Sequence, residues 1–250
     1  VRLASFNLLH GRSPQDDRVD LDRLAAAIRE LDPDILALQE VDRDQPRSHR
    51  MDLTALAAEV MGARSQRFVA AIAGTPGSTW IAATGDEQPG AATYGIGLLS
   101  RYDADAWQVI RLPPISVRFP MWLPGPRKIV MVHEEPRVAV AACFDTPCGR
   151  VSVVNTHLSF VPGWNHHQLA RLGRDLRQRD DPVLLMGDLN TARPRAPGFR
   201  SLVAAPTFPV DAPTRQLDHI LVRGRLGDHA AGQAIRLPLS DHRALICDVE

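Results

Sequence analysis

The same short phrase occurs twice in this chain, and the recurrence limits the folds open to it. Asp32-Pro33-Asp34-Ile35-Leu36 leads into an apolar run that ends at Glu40, and Asp181-Pro182-Val183-Leu184-Leu185 leads into one that ends at Asp188. Proline disfavours helix in the residue before it, so each Asp-Pro closes what precedes it and opens an extended segment. A short apolar run after such a stop reads as a strand buried on both faces. Upstream of each lies another strand with a polar end: Asn7 after Leu3-Ala4-Ser5-Phe6, and His157 after Val151 to Asn155. A helix joins the strands in each half. Leu21, Leu24, Ile28 and Leu31 repeat at helical spacing in the first, and Leu169, Leu172 and Leu176 in the second.

Two such units packed sheet to sheet would bring four polar strand ends to one rim. The expected fold is α/β (α+β), a pseudo-symmetric sandwich over residues 1–250 as a single domain, because no Gly/Ser linker divides the halves. A further helix is expected over Leu53 to Val60, with Asp52 as its N-cap and Gly62 as its stop. Val138 to Phe144 and Val151 to Asn155 read as a hairpin. Gly95 to Leu99, Ile220 to Val222 and Ala244 to Val249 read as strands, and 66–110 otherwise shows only short strand-like runs. The Pro-rich segment from Leu112 to Pro136 carries Phe119, Met121 and Trp122. It reads either as an apolar lid or as a hairpin closing a sheet edge.

Charge is balanced, 29 basic against 29 acidic residues, so no global field recruits polyanions. Lys128 is the only lysine; the abundance of arginine reads as codon bias. Cys143, Cys148 and Cys247 form no CxxC pair, which supports neither a disulfide framework nor a zinc site. No apolar run approaches the roughly 18 residues of a membrane span. The expectation is a soluble, cytoplasmic chain, although a leader before Val1 could have been removed. Oligomeric state is not legible.

The chemistry sits at the strand ends. Met186-Gly187-Asp188-Leu189-Asn190 places a carboxylate and a carboxamide at the mouth of a buried strand, with a glycine that would let a ligand approach the backbone. Asp188 suits an attacking water, and Asn190 suits the charge building on phosphorus. Glu40 suits a hard divalent cation such as Mg²⁺ or Mn²⁺, which prefers oxygen and takes few protein carboxylates. Asn7, a neutral donor, suits a phosphoryl oxygen or a metal-bound water. Asp218 is placed in sequence to hold one ring nitrogen of His242 and favour its imidazolium. His157 suits phosphate binding or proton donation, and His219 reads as a packing residue. GxxxxGK[ST], GxSxG and HExxH are absent, which excludes the sites they build.

These motifs together resemble the endonuclease/exonuclease/phosphatase superfamily, whose fold is shared with deoxyribonuclease I and the exonuclease III type of abasic-site nuclease. The likeness runs through Phe6-Asn7, Leu38-Gln39-Glu40, Leu98-Leu99-Ser100-Arg101, Thr156-His157, Gly187-Asp188-Leu189-Asn190, Leu217-Asp218 and Ser240-Asp241-His242, and so covers nearly the whole chain. It implies a four-layer sandwich of two mostly antiparallel sheets with helices outside. It also implies Glu40 as main metal ligand with Asn7 and Asp241 beside the metal, and His157 as a phosphate contact. Glu135-Pro136-Arg137 before a strand resembles bacterial family hydrolases. Tyr94-Gly95-Ile96-Gly97 stands where the family usually has an asparagine, a departure at a substrate-contact position.

The expected activity is metal-dependent hydrolysis of a small-molecule or lipid-headgroup phosphoester. The alternatives are a DNA nuclease, which the charge balance and 5% aromatic content do not favour, and a non-catalytic binding module.

Overall fold

The computed structural model describes residues 1–123, 128–227 and 230–250. The first half runs β1 (Arg2–Asn7), the short pair β2 (Arg12–Ser13) and β3 (Arg18–Val19), α1 (Leu21–Leu31), β4 (Ile35–Arg43), α2 (Leu53–Met61), β5 (Ser65–Gly74), β6 (Trp80–Ala82) and β7 (Thr93–Ser100). It continues through β8 (Ala104–Leu112), the hairpin β9 (Phe119–Leu123) and β10 (Lys128–Val132), β11 (Arg137–Thr146) and β12 (Gly149–His157). The last part is α3 (Trp164–Asp175), β13 (Val183–Asp188), β14 (Arg200–Ser201), β15 (Asp218–Arg223), β16 (Ala230–Ile235) and β17 (Ala244–Val249).

Local chemistry sets the helix ends. Asp20 accepts a hydrogen bond from the Arg23 amide at 3.0 Å and Asp52 one from the Ala55 amide at 2.9 Å. Each satisfies a donor left open by the first turn. Asp32 and Gly62 close α1 and α2 in the left-handed region. α3 begins at Trp164, upstream of the leucines that announced it, behind Gly163.

One seven-stranded sheet has the order β16-β17-β1-β4-β7-β5-β6, and a six-stranded sheet has the order β14-β15-β13-β12-β11-β8. Each contains one parallel pair, β1 with β4 and β12 with β13, and is otherwise antiparallel. The parallel pairs are the two strand–helix–strand units, crossing over through α1 and α3. Leu3, Ile35, Val140, Phe144, Leu184 and Ile220 fill the space between the sheets. Phe6, Leu24, Ile28 and Leu36 join α1 and α2 to the outer face of the first sheet, and Leu169, Leu172 and Leu185 join α3 to the second. Each such side chain is fully or almost fully buried, stabilising the fold by about 1.5–3 kcal/mol. The result is the four-layer α/β sandwich.

Two details revise the strand ends read from sequence. β4 does not stop at Glu40 but runs on to Arg43. Its pairing with β7 slips between Leu38 and Val41, and Glu40 takes a positive φ of 54°. This bulge, not a strand terminus, turns the Glu40 carboxylate toward the rim. Gly187 does not make room for a ligand. A Cβ there would collide with the Thr156 carbonyl of the neighbouring strand, so the glycine serves strand packing.

A buried amide pair ties the sheets together beneath the rim. Gln39 Nε2 donates to Asn155 Oδ1 at 2.8 Å, while Asn155 Nδ2 donates to the carbonyls of Leu38 (2.9 Å) and Gly97 (2.7 Å). Polar groups with 0% exposure need such partners, and these fix how β12 lies over β4 and β7. In the Pro-rich segment, β9 and β10 pair with each other as a separate two-stranded ribbon. The side chains of Phe119, Met121 and Trp122, on which the lid expectation rested, lie outside those described. No helix among the described residues is long and apolar enough to cross a membrane.

Candidate active site

The sheet registers bring the polar strand ends together. Asn7 pairs with Gln39, next to Glu40; His157 pairs with Asp188, and Asp188 with Asp218. The Asn7 amide then spans the sandwich, donating to Glu40 Oε1 and to Asp188 Oδ2, each at 3.1 Å. Both carboxylates therefore meet on one carboxamide, although they come from different sheets.

Asp188 is held from several sides. Its Oδ1 accepts from the Asn190 amide at 2.9 Å; His157 Nε2 stands 3.6 Å and His242 Nε2 3.9 Å from its Oδ2. Burial, with the Asp218 charge added, raises its pKa, against the pull of His242. His242 Nδ1 lies 2.8 Å from Asp218 Oδ2. Burial works against a charged His242, but the Asp218 carboxylate outweighs it, lifting the pKa to about 10. His242 is thus an imidazolium at neutral pH. Ser240 positions it, its hydroxyl donating to the Asn7 carbonyl at 2.6 Å and accepting from the His242 amide at 3.0 Å.

His157 is the opposite case. Burial, Arg137 and His242 push its pKa well down, so it is neutral. Its Nδ1 lies 3.3 Å from Arg137 Nη1, which can only donate. Nδ1 is therefore the acceptor, and Nε2 carries the proton. That N–H faces Asp188, 3.6 Å from its Oδ2. Asn190 Nδ2, 3.2 Å from Nε2, donates instead to the Leu158 carbonyl at 3.0 Å. Arg137 was noted from sequence only as part of a resemblance; its contact with His157 depends on β11 pairing with β12. Replacing it with Met removes the donor at Nδ1. The expected result is loss of the single Nε2–H tautomer in ¹⁵N NMR, with kcat down ~10–10².

The remaining expected residues also find places. Asp241 is half-buried, and its charge raises the pKa of both Glu40 and His242. His219 Nε2 lies 2.8 Å from the Thr191 carbonyl, a packing position. Tyr94 lines the cleft, where burial holds its hydroxyl neutral.

The oxygen-rich side of the rim fits a hard cation. Burial raises the Glu40 pKa, and Asp241 adds to this against the Asn7 hydrogen bond, so a nearby cation would relieve crowded negative charge. Asp188, Asp218 and His242 also place ligand atoms within 4.8 Å of one another. In that group the Asp218–His242 hydrogen bond already engages one atom of each partner, and Mg²⁺ prefers oxygen over imidazole. Glu40, Asn7 and Asp241 offer oxygen atoms that could hold such an ion instead.

Glu40, His157, Asp188, Asn190 and His242 open into a cleft of about 690 Å³, whose lining also includes Trp80, Glu134, Glu135, Arg137 and Phe160. Among solved structures, an endonuclease/exonuclease/phosphatase from Beutenbergia cavernae aligns with TM-score 0.68 and 22% identity, over 100% of this chain and 71% of that one. A mannosyl-6-phosphatase from Bacteroides thetaiotaomicron aligns with TM-score 0.67 and 14% identity, over 100% and 99%. A truncated TDP2 from Caenorhabditis elegans aligns with TM-score 0.63 and 16% identity, over 99% and 96%. At these identities the likeness is one of fold. No curated protein matches by sequence. The sequence profile of the Endonuclease/Exonuclease/phosphatase family matches residues 4–242, and the chain belongs to that family of hydrolases.

Proposed function

We propose that this chain hydrolyses a small phosphoester with the help of a divalent cation. The observation that carries the reaction class is the shared Asn7 amide, which holds Glu40 and Asp188 to one point beside an imidazolium. A bound Mg²⁺ or Mn²⁺ would supply charge neutralisation at the phosphoryl oxygens. The protein groups do the rest. Asp188, its Oδ1 fixed by the Asn190 amide, orients the attacking water and takes its proton. Asn7, the Nε2–H of His157 and the charged His242 donate to the oxygens on which negative charge accumulates. Asp218 holds His242 in that role.

The wall of the cleft favours a small substrate over DNA. A polynucleotide track requires rows of cations, whereas among the described residues Arg137 is the only arginine lining this cleft, against Glu134 and Glu135. Glu134 is 2% exposed. Its Oε2 accepts from the Ile115 amide at 3.2 Å, and its Oε1 has no partner among the described residues. Such a wall repels a second phosphate and suits an organic group that donates hydrogen bonds. The mannosyl-6-phosphatase of the same fold keeps sugar phosphates among the candidates.

The test is a panel with Mg²⁺ or Mn²⁺: p-nitrophenyl phosphate, bis-p-nitrophenyl phosphate, sugar phosphates, phospholipid headgroup esters, and plain and abasic DNA. Chelation with EDTA is expected to abolish turnover, and restored metal to recover it. Full activity after rigorous chelation removes the metal from the reading. Preferential cleavage of DNA moves it to the nuclease class.

A further inference from the structure

A second cleft, of about 800 Å³, opens where β5 of one sheet faces β8 of the other, and it shares no lining residue with the catalytic cleft. β6 pairs only with Ile72 to Gly74, so the rest of this side of β5 is an open edge, and β8 is the edge of its own sheet. Four arginines from four elements line the opening: Arg43, Arg67, Arg111 and Arg171. None of them forms an ion pair among the described residues, although arginines 2, 12, 23, 47, 64, 101, 150 and 236 do.

Three of the four are anchored by neutral groups. Arg43 stacks over the Phe68 ring at 4.5 Å, Arg67 lies 5.9 Å from the centre of the Trp107 ring, and Arg111 Nη1 donates to the Ala70 carbonyl at 3.3 Å. Such contacts position a guanidinium without an ion pair; Arg111 does act on the Glu87 carboxylate at longer range, helping to lower its pKa. Two carboxylates share the lining, Glu87 and Asp175. Glu87 is turned into its own loop, accepting from the amides of Thr84 (2.5 Å) and Gly85 (3.0 Å). In a chain of zero net charge, this is a local excess of positive charge on a concave surface.

We infer that this cleft is a binding site for a small, multiply charged phosphate compound, separate from the site of hydrolysis. Guanidinium forks match phosphate oxygens in pairs, and the volume lies in the range of small-ligand sites. Four guanidinia from separate elements suit a ligand with several phosphates better than orthophosphate.

The experiment is calorimetric titration of the purified protein with inorganic tripolyphosphate and, separately, orthophosphate. The comparison is among wild type, Arg67→Gln/Arg111→Gln, and a control, Arg29→Gln/Arg195→Gln, which removes two exposed arginines elsewhere. Tripolyphosphate is expected to bind wild type and control alike and at least about tenfold more tightly than orthophosphate. The Arg67/Arg111 variant is expected to lose about tenfold or more in affinity, while its turnover of bis-p-nitrophenyl phosphate stays unchanged. Equal affinity in wild type and the Arg67/Arg111 variant would place the ligand elsewhere and overturn the inference. So would an equal loss in the control, or no binding by wild type.

Discussion

Asp188→Asn is expected to lower kcat for phosphoester hydrolysis by about 10³–10⁴ while leaving the fold intact. The lower part of that range follows from the loss of a positioned base, worth ~10²–10⁴ in many enzymes. The upper part follows from its company. Asn7, Asn190, His157 and His242 are all arranged around this one carboxylate, so its loss disorders the water and removes the anchor of its neighbours. The amide is nearly isosteric. With one oxygen in place of two it keeps only one of the bonds from the Asn7 amide, at Oδ2, and the Asn190 backbone, at Oδ1, but as a neutral group it relieves the repulsion from Asp218. The two effects oppose each other, so the thermal midpoint should change little. A purified, folded Asp188→Asn protein with near-wild-type turnover removes Asp188 from the mechanism.

The second large effect is expected at His242. Asp218 has 0% exposure, its Oδ2 bonds to His242, and its Oδ1 has no partner among the described residues. His242→Ala strands that carboxylate, which costs about 3–5 kcal/mol when one partner of a buried pair is removed. Turnover should fall by about 10²–10³ with the loss of one charged donor. Adding Asp218→Asn to His242→Ala is expected to recover much of the stability, read by urea denaturation, and none of the activity. Additive losses in the double variant would show that the two residues do not act as a pair.

The same pair has a pH signature. The folded-state pKa of His242, about 10, lies above its ordinary value of 6.5. Its stabilising contribution is complete below pH 6.5 and is lost as pH rises through about 10. Urea midpoints of the metal-free protein should therefore decline over that window in wild type, and the decline should be reduced in His242→Ala. A wild-type midpoint constant from pH 6.5 to 10 would show that His242 is not held as an imidazolium.

The helix cap at Asp52, the stops at Asp32 and Gly62, and the polar ends Asn7, His157 and Asp188 were legible because each signal lies within a few residues of what it controls. The two similar halves were legible for the same reason, and they implied the sandwich. β5, β8 and β16 had no comparable local signature. β5 and β8 alternate exposed and buried residues unevenly, and β16 owes its place to pairing with β17 across the sheet edge.

Tertiary structure alone decided where these groups point. The bulge that aims Glu40 exists because β4 must stay paired with β7 on both sides of it. The Gln39–Asn155 link, the position of Arg137 behind His157 and the tautomer that follows all join residues far apart in sequence. A chain can encode propensity and capping locally, since those depend on neighbours a few positions away. Distances among side chains on different strands depend instead on register and sheet packing, which come into being only when the whole core closes.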